Sequence, residues 1–451
     1  MGVAVAVAAI GAAGSASGAS PAPVLGPVVR VQTPGTAGCH SESETAVAVT
    51  AVGTWVAYND IGICQAGDRA TSEHLTTLQL LPAGGGPAKV ISLPAWESGG
   101  DGYQGDPALS PDVDGRGVVL ASLAGNNTPQ VEASSGFSSA TLWVDVVRVS
   151  AAGVARRLPP LRQGYSFADK EAVTVDRGVH SPRRGWVYVV WDEAGSSQVV
   201  LQAFDGHRWL PRVKVEDGSG RPDVAVGPRG EIAVAYETPD GVVVRVASDP
   251  RRALGPAFLV LRGSDPGHVD PACPLINSIG ARQRVIKSPR LAWDSRGGLH
   301  VTAALKIGDF TAAPTAAGLG AESSVLHAVS NDRGAHWNSS TVSAANAWAP
   351  SITPLDAGRV AIGYLQLADA AGQTVRAYVW QSGRGAIEVS EGASAQELGS
   401  ESQGTNYCYG LGDYTGVGSW RGNVVYAWPS TAGAARPVYD TDVLVRRVSA
   451  G

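Results

Sequence analysis

Charged residues stand at, or just before, the start of a series of short apolar segments in this 451-residue chain. Both charge signs occur, so together they could bind a polar ligand, and paired carboxyls among them could act as acid and base. The alternative is that they bond the exposed amides of strand ends and line a water-filled channel. The residues concerned are Glu44, Asp106, Asp169, Lys170, Glu171, Arg221, Lys287, Arg290 and Asp413.

Two tryptophans, Trp96 and Trp348, stand in the stretches that lead into the second and sixth of these segments. If they are exposed, their flat amphipathic rings could stack on sugars. If they are buried, they pack between neighbouring elements, and both interpretations stay open. For the tryptophans inside apolar runs, packing is the better interpretation: Trp55, Trp186, Trp191, Trp293 and Trp428.

The apolar segments form a repeat that runs along the whole chain. Each unit has an opening run, a turn and a second run, with strand-like composition and no helical period. The stretch 287–343 shows four such runs separated by turns. Seven near-equal units predict an all-β, seven-bladed β-propeller of four-stranded blades, with a six-bladed ring as the alternative. The opening runs are anchored at 45, 107, 171, 222, 289, 350 and 414.

The two ends of the chain complement each other. The seventh unit stops after a third strand at 443–448, and an unassigned strand at 27–31 precedes the first unit. Placing that strand on the outer edge of the last blade completes the count and removes two open edges. The sequence therefore predicts that the N-terminal strand closes the ring.

Propeller topology decides where a site can lie. The loops that enter the first strand of each blade share one face, the upper face, with the loops between the second and third strands. The longest loops, 262–287, 306–322 and 390–413, are predicted there. Because loops carry sites, we expect a ligand pocket on the upper face at the axis.

The four cysteines form an even set in a chain that has the marks of export. Disulfides are the default interpretation, and a bridge within the first unit together with one between two long upper loops is the simplest arrangement. Other pairings stay open. Without a CxxC pair or a histidine cluster, neither a metal site nor a cofactor is predicted. The cysteines are Cys39, Cys64, Cys273 and Cys408.

The start of the chain, 1–23, is apolar and rich in small residues, as in a secretory signal. It is too short for a convincing membrane anchor. We expect a secreted, monomeric single propeller domain over 24–451. The formal net charge of −5 argues against a nucleic-acid partner.

One turn carries a recognisable motif, Ser330-Asn331-Asp332-Arg333-Gly334-Ala335-His336-Trp337. It matches the Asp-box of the sialidase superfamily, and degenerate versions stand at 205–209 and 248–249. In this pattern the Asp bonds local amides, the Gly supplies a positive φ and the Trp packs below the turn. The structural positions of the motif are Ser330, Asp332, Gly334 and Trp337. The chain thus resembles bacterial secreted members of this superfamily.

The resemblance implies a catalytic set as well as a fold. The family's hydrolases use a Tyr nucleophile paired with a Glu, an Asp acid, and three Arg that grip the sugar carboxylate. Tyr414 matches the late-chain position of such a Tyr, next to Asp413. Asp106 and Glu171 are then the candidate carboxyl partners. The arginine triad and the glutamate partner are not recognisable in this sequence.

Two functions follow as expectations. The first is a secreted sialidase-like propeller that acts on or binds glycans at its upper axial pocket, for example as an exo-glycosidase. The alternative is a non-catalytic propeller that binds a protein or a polysaccharide at the cell surface. Turnover of a glycoside distinguishes the two.

Overall fold

The structure is a computed structural model. It describes residues 23–31, 41–61, 76–95, 101–126, 142–161, 168–193, 196, 198–218, 220–264, 286–306, 323–344, 347–368, 374–390, 396–397, 412–430 and 442–449. The four cysteines, Trp96 and residues 1–22 lie outside these ranges, so the disulfides, one candidate stacking residue and the leader stay predictions. No helix in the described part of the chain is long and apolar enough to span a membrane.

Seven separate antiparallel sheets make up the described structure, and each is one blade. The N-terminal strand is β1 (Val24–Val31). Blades 1 to 3 follow, with β2 (Ser41–Thr50), β3 (Gly53–Ile61), β4 (Thr76–Pro82), β5 (Lys89–Val90); β6 (Asp101–Pro111), β7 (Val118–Asn126), β8 (Leu142–Val149), β9 (Ala155–Arg157); β10 (Ala168–Val175), β11 (Val187–Glu193), β12 (Gln198–Phe204) and β13 (Val213–Asp217).

Blades 4 to 7 complete the ring. Their strands are β14 (Gly220–Val226), β15 (Ile232–Thr238), β16 (Gly241–Ala247), β17 (Phe258–Arg262); β18 (Arg290–Trp293), β19 (Leu299–Lys306), β20 (Ser323–Ser330), β21 (Asn338–Ser343); β22 (Ala347–Pro354), β23 (Val360–Leu367), β24 (Thr374–Gln381), β25 (Gly385–Glu388); β27 (Gly416–Trp420), β28 (Asn423–Ser430) and β29 (Asp442–Ser449). A 3₁₀ turn (Asp356–Gly358) follows β22, and the short β26 (Gln396–Glu397) also pairs with β24. The seven-bladed prediction is confirmed, and the six-bladed alternative is wrong.

The N-terminal strand closes the ring, as predicted. β1 pairs antiparallel with β29 and becomes the outer strand of blade 7. Arg30 makes an ion pair of 2.8 Å with Asp442. Val31 is fully buried in a cluster that contains side chains of blade 1 and of blade 7. The two ends of the chain therefore share one sheet and one core.

The cores lie between neighbouring blades. The second strands are almost continuously apolar, because both of their faces are covered by adjacent sheets. Trp55 and Trp428 are fully buried in these clusters, and Trp191 and Trp293 are nearly so. The inner strands of neighbouring blades contact one another around the whole ring.

Every inner strand from blade 1 to blade 6 carries the same irregularity. In blade 1, Ser43 pairs with Asn59 and Ala46 with Ala57, which leaves two residues between them unpaired. Equivalent breaks occur in the other blades. The first unpaired residue has a φ between 41° and 53° in all six: Glu44, Asp106, Lys170, Arg221, Ser288 and Ala349. Such a bulge bends the strand and re-aims one side chain per blade.

The turn between β20 and β21 is held by the residues of the motif. Ser330 Oγ donates to Asp332 Oδ1 and accepts from the amide of Gly334, and Asp332 Oδ1 accepts from the amide of His336. Gly334 has a φ of 92°, which a side chain would strain. Trp337 donates its indole N–H to the Gly334 carbonyl. The turn lies at the opposite end of the strands from the bulges, on what we call the lower face.

A buried polar chain runs through blade 5. His300 Nε2 lies 3.1 Å from Asp294 Oδ2, and His300 Nδ1 lies 3.0 Å from His327 Nε2. The three residues are buried, and His327 also packs against Trp380. Burial lowers the pKa of His327 from 6.5 to about 4, and it lowers the pKa of His300 as well. Both rings are therefore neutral in the folded protein at neutral pH.

We expect these buried histidines to lower the stability of the folded protein in acid. The unfolded protein takes up a proton on His327 below pH 6.5, whereas in the folded protein His327 stays neutral until about pH 4. Stability should fall by roughly 3 kcal/mol over that window. In urea unfolding, His327→Gln should show a clearly smaller loss, while His207→Gln, at an exposed position, should behave like the wild type. An equal acid loss in His327→Gln would contradict the assignment.

Candidate functional site

The bulge residues define a ring of side chains around the axis, one from each blade. Tyr414 occupies the equivalent position in blade 7, two residues before the first paired residue, Gly416, as Glu44 stands two residues before Ala46. The equivalent of anchor 45 in blade 7 is therefore Thr415, so the predicted anchor at 414 was one residue early. Thr45 and Thr415 share a role, since each hydroxyl donates to a carbonyl of the preceding blade.

Three blades that are not neighbours meet at the Tyr414 ring. The Lys170 ammonium of blade 3 lies 3.1 Å from the ring centroid. The Arg290 guanidinium carbon of blade 5 lies 4.9 Å from the same centroid. Cation–π contacts of this kind strengthen when they are removed from water, and Tyr414 is almost fully buried. The aromatic ring therefore ties blades 3, 5 and 7 together across the axis.

Lys170 is the most unusual of these cations. Its side chain is only 9% exposed, and its Nζ atom has no hydrogen-bond acceptor. The nearest carboxylate oxygen is Asp106 Oδ2, at 4.0 Å. Burial lowers the pKa of Lys170 to about 8, although the charges of Asp106 and Glu44 oppose the shift. The ammonium is thus a charge with unused donors, held close to the axis.

Glu171 follows Lys170 and is the counterpart of Thr45 and Thr415 in blade 3. Both of its carboxyl oxygens are buried and neither has a hydrogen-bond partner. Burial, followed by the charge of Asp106, raises the pKa of Glu171 well above its ordinary value. Because an unpaired carboxylate is very costly in such a place, this side chain is held as the neutral acid.

The Tyr414 phenol is kept protonated. Burial raises its pKa well above the ordinary value, and the charges of Asp106 and Glu44 raise it further. Among the described residues, no carboxylate accepts a hydrogen bond from its hydroxyl, which a nucleophilic Tyr would need. Arg290 is the one arginine that contacts its ring in the described structure.

Glu44 serves the backbone rather than an open pocket. Its two carboxylate oxygens accept from Asn59 Nδ2 at 2.7 Å and from the Asp413 amide at 3.2 Å. Asn59 Oδ1 in turn accepts from the Asp106 amide at 2.8 Å. These bonds link blades 7, 1 and 2 at the bulges. Glu44 therefore bonds strand-end groups, which was the alternative to ligand binding in the sequence analysis.

Lys287 also bridges two blades, since its Nζ donates to the Thr238 carbonyl at 2.5 Å. The neighbouring Ser288 amide donates to Glu237, whose other carboxylate oxygen pairs with Arg221 at 2.8 Å. Arg221 is about one quarter exposed, so it remains within reach of a ligand. The seam between blades 4 and 5 is therefore built from charged groups.

Two carboxyls face each other at the rim of blade 3. Asp169 and Asp192 are directly paired across β10 and β11. Burial, followed by the charge of Asp169, raises the pKa of Asp192 to about 7. At neutral pH the Asp192 carboxyl is therefore protonated for part of the time, which limits the repulsion between the two groups.

Trp348 is not placed to stack on a ligand. It lies inside β22 with 2% of its surface exposed, in the core between blades 6 and 7. The packing interpretation applies, and the assignment to ligand binding is corrected. Asp413, which precedes Tyr414, is buried as well.

Four further residues belong to this cluster and were missed in the sequence: Asn59, Asp192, Asp223 and Glu237. Asn59, Asp192 and Glu237 occupy the same register on the second strands, opposite the residue before each bulge. Asp223 Oδ2 accepts from the Leu291 amide at 2.6 Å. A polar residue near the end of the second strand in blades 1, 3 and 4 was the signal that could have revealed the first three. In the described ranges, no group of three or more His, Cys, Asp or Glu is arranged to hold a metal ion.

No protein-family model matches this sequence, and no curated protein matches it. Among solved structures, it is similar to a polysaccharide lyase, with a TM-score of 0.50 and 10% identity over 93% of this chain and 91% of that chain. A protein of unknown function from Dyadobacter fermentans covers 96% of this chain and 100% of its own, at 12% identity and a TM-score of 0.49. A Trypanosoma rangeli sialidase covers 94% of this chain and 59% of its own, at 10% identity and a TM-score of 0.45. The shared feature is the fold, a sialidase-like β-propeller.

Proposed function

We propose that the protein acts on glycans, and that it binds a sugar on its upper face. The site is the group of charged side chains around Lys170, Arg290 and Tyr414, which we call the axial cluster. The observation that carries this is the convergence of unused polar atoms at one place. Lys170 Nζ and Arg290 Nε offer donors without acceptors, and Asp106 stands partly exposed beside them. Buried polar groups are rarely left unpaired without a reason.

A sugar fits this mixture better than a simple ion does. Each hydroxyl both donates and accepts, so one ring of hydroxyls can satisfy cations and carboxylates side by side. A small anion would satisfy Lys170 and Arg290 but would face Asp106. The named activities of proteins with a similar fold, polysaccharide cleavage and sialidase activity, are consistent with this proposal.

Hydrolysis of a glycosidic bond is the second candidate, and Glu171 favours it. Its neutral carboxyl has a proton to give, and Asp106, whose charge acts on Glu171, lies 4.0 Å from the Lys170 ammonium. One protonated and one ionised carboxyl are the pair that glycosidases use. In this scheme Tyr414 positions Lys170 and Arg290 rather than attacking the sugar.

Screening distinguishes these candidates. The full chain should bind members of a glycan array, and purified protein should be assayed on a panel of aryl glycosides. Turnover that Asp106→Asn abolishes would support hydrolysis. Binding without turnover would support glycan binding alone. Failure to bind any glycan, with binding to a protein instead, would favour the protein-binding alternative. We also propose secretion, on the strength of the apolar leader.

Ligand affinity at this site should depend on pH through Lys170. Its ammonium is present below about pH 8 and is lost above it. Affinity for a glycan found on the array should therefore drop between pH 7 and pH 9.5 in calorimetric titration. Lys170→Arg should bind with little pH dependence, because a guanidinium keeps its charge. Lys89→Met, at an exposed position in blade 1, is the matched control and should follow the wild type.

A further inference from the structure

Four neighbouring turns on the lower face carry an excess of arginine. They are 176–186 of blade 3, 227–231 and 248–257 of blade 4, and 331–337 of blade 5; we call them the arginine patch. They contain seven arginines and four acidic residues, although the whole chain has a formal charge of −5. The patch is thus positively charged in a protein whose formal net charge is negative.

The four turns form one continuous surface. Arg183 of blade 3 donates to the carbonyls of Gly230 and Ser248, at 2.6 Å each, and so fastens both blade 4 turns. Arg333 of blade 5 lies 3.5 Å from Glu231 of blade 4. These contacts hold side chains from three blades at fixed positions beside one another.

The acidic residues of the patch hold its turns and also pair with some of its arginines, as Asp249 does with Arg251 and Arg252. Asp176 accepts from Ser181 and from the Gly178 amide. Glu231 accepts from the Arg229 amide. By contrast, the side chains of Arg252 and Arg333 are 84% and 57% exposed. The acidic residues are therefore engaged with the turns and with neighbouring arginines, and the patch keeps an excess of three positive charges (seven arginines less four acidic residues) with guanidinium groups exposed to solvent.

A cavity of about 210 Å³ opens in the middle of this patch. Val246, Pro256 and Phe258 form an apolar wall, and Glu231 and Arg333 form a charged edge. The cavity is smaller than the pockets that hold drug-sized ligands, so it suits a single ring. An apolar wall beside a carboxylate and a guanidinium suits a pyranose, which has apolar C–H faces and polar hydroxyl edges.

We propose that the arginine patch is a second binding site, for an acidic polysaccharide that bears carboxylate or sulfate groups. One sugar ring enters the cavity against Phe258, and the anionic groups of neighbouring sugars lie on the exposed arginines. Planar guanidinium groups bind such anions through two parallel hydrogen bonds. This site is on the face opposite the axial cluster, so it is independent of the function proposed above.

A membrane surface fits the patch less well. Interfacial binding needs an apolar surface that enters the lipid. Of the exposed large hydrophobic residues in the described structure, Val179 is the one that lies in these turns. The observations favour a soluble, sugar-based polyanion.

The backbone of Arg333 supplies a clean test. Its φ of 61° lies in the left-handed region, where a non-glycine residue is strained by about 1 kcal/mol or more. Arg333→Gly should therefore fold at least as stably as the wild type while losing the guanidinium. Its thermal midpoint should stay equal or rise.

Binding is measured with the full chain on immobilised polygalacturonate and on dextran sulfate, with neutral dextran as the reference. We expect binding to at least one polyanion that weakens with added salt. Arg333→Gly and Arg252→Glu should each weaken it about tenfold, a loss in the range of one charge-assisted hydrogen bond. Ala335→Phe, which fills the cavity edge without changing charge, should weaken it too. Lys89→Glu, at an exposed position in blade 1, should leave it unchanged.

Several results would overturn the proposal. They are binding to neither polyanion, equal binding to neutral dextran, and unchanged affinity in Arg333→Gly. Preferential binding to phosphatidylglycerol vesicles or to single-stranded DNA, with the same dependence on Arg252 and Arg333, would also overturn it. Full retention of binding in Ala335→Phe would exclude the cavity and with it the sugar.

Discussion

Replacing Glu171 by Met should raise the stability of the fold and remove its glycan-directed activity. The carboxyl is buried with both oxygens unpartnered, so its removal should raise the free energy of unfolding by about 2 kcal/mol. Met has a similar volume and leaves no large cavity. If Glu171 donates the proton to the leaving sugar, turnover should fall at least about a hundredfold. A gain in stability at the expense of activity marks a residue kept for function.

The pH dependence of that gain follows from the raised pKa. Above pH 4.5 the unfolded chain releases the Glu171 proton, whereas the folded chain keeps it. Folding then takes up a proton, and the wild type becomes less stable as pH rises. The advantage of Glu171→Met, measured by urea unfolding, should thus be larger at pH 8 than at pH 4.5.

Glu237 provides the matched control. It is equally buried, but its carboxylate oxygens bond the Ser288 amide and Arg221. Glu237→Met should destabilise the protein, because it strands a buried amide and a cation. If Glu171→Met and Glu237→Met lost stability alike, the carboxyl of Glu171 would have partners that the structure does not show.

Removing residues 1–31 should abolish cooperative folding. The deletion takes away β1, exposes the whole edge of β29 and opens the core around Val31. It also removes the Gly26 carbonyl that accepts from Arg446. The fully buried Val31, the partly buried Leu25 and Val28 and a strand's worth of hydrogen bonds are together comparable with the about 5–15 kcal/mol by which domains are stable. Calorimetry should show no sharp transition.

The control for this deletion keeps β1 and replaces one side chain on its exposed face. Val29 is 40% exposed, so Val29→Thr should change stability by less than about 0.5 kcal/mol. Adding a peptide that spans 23–31 to the truncated chain should restore a transition if the strand acts by completing blade 7. A sharp transition in the truncated chain alone would show that six blades and three strands suffice.

The fold was readable from the sequence because each blade repeats the same apolar pattern. Even the ring closure followed from a simple count, with one strand too many at the start and one too few at the end. The bulges were not readable. They depend on backbone conformation at residues as different as Glu44, Lys170 and Ala349, and no residue type announces them.

The sequence predicted which residues form the axial cluster, but it did not predict what each of them contacts. The contact of Lys170 with Tyr414 joins residues far apart in sequence and in non-adjacent blades, and spacing alone cannot show it. Glu44 and Lys287 were expected to face a ligand, yet they hold amides and carbonyls of neighbouring blades. Whether a charged strand-end residue caps or binds depends on which atoms the next blade brings to it.

The bulge at the start of each inner strand has a consequence for how such a molecule can change. Because the same backbone conformation recurs, blades 1 to 6 each offer one place near the axis that accommodates residues as different as Glu44, Lys170 and Ala349. Ser288 and Ala349 already hold small side chains at two of the seven places. New ligand specificities could therefore be assembled one blade at a time, by substitutions at these places that are matched to their contacts on other blades, as Lys170 is to Tyr414.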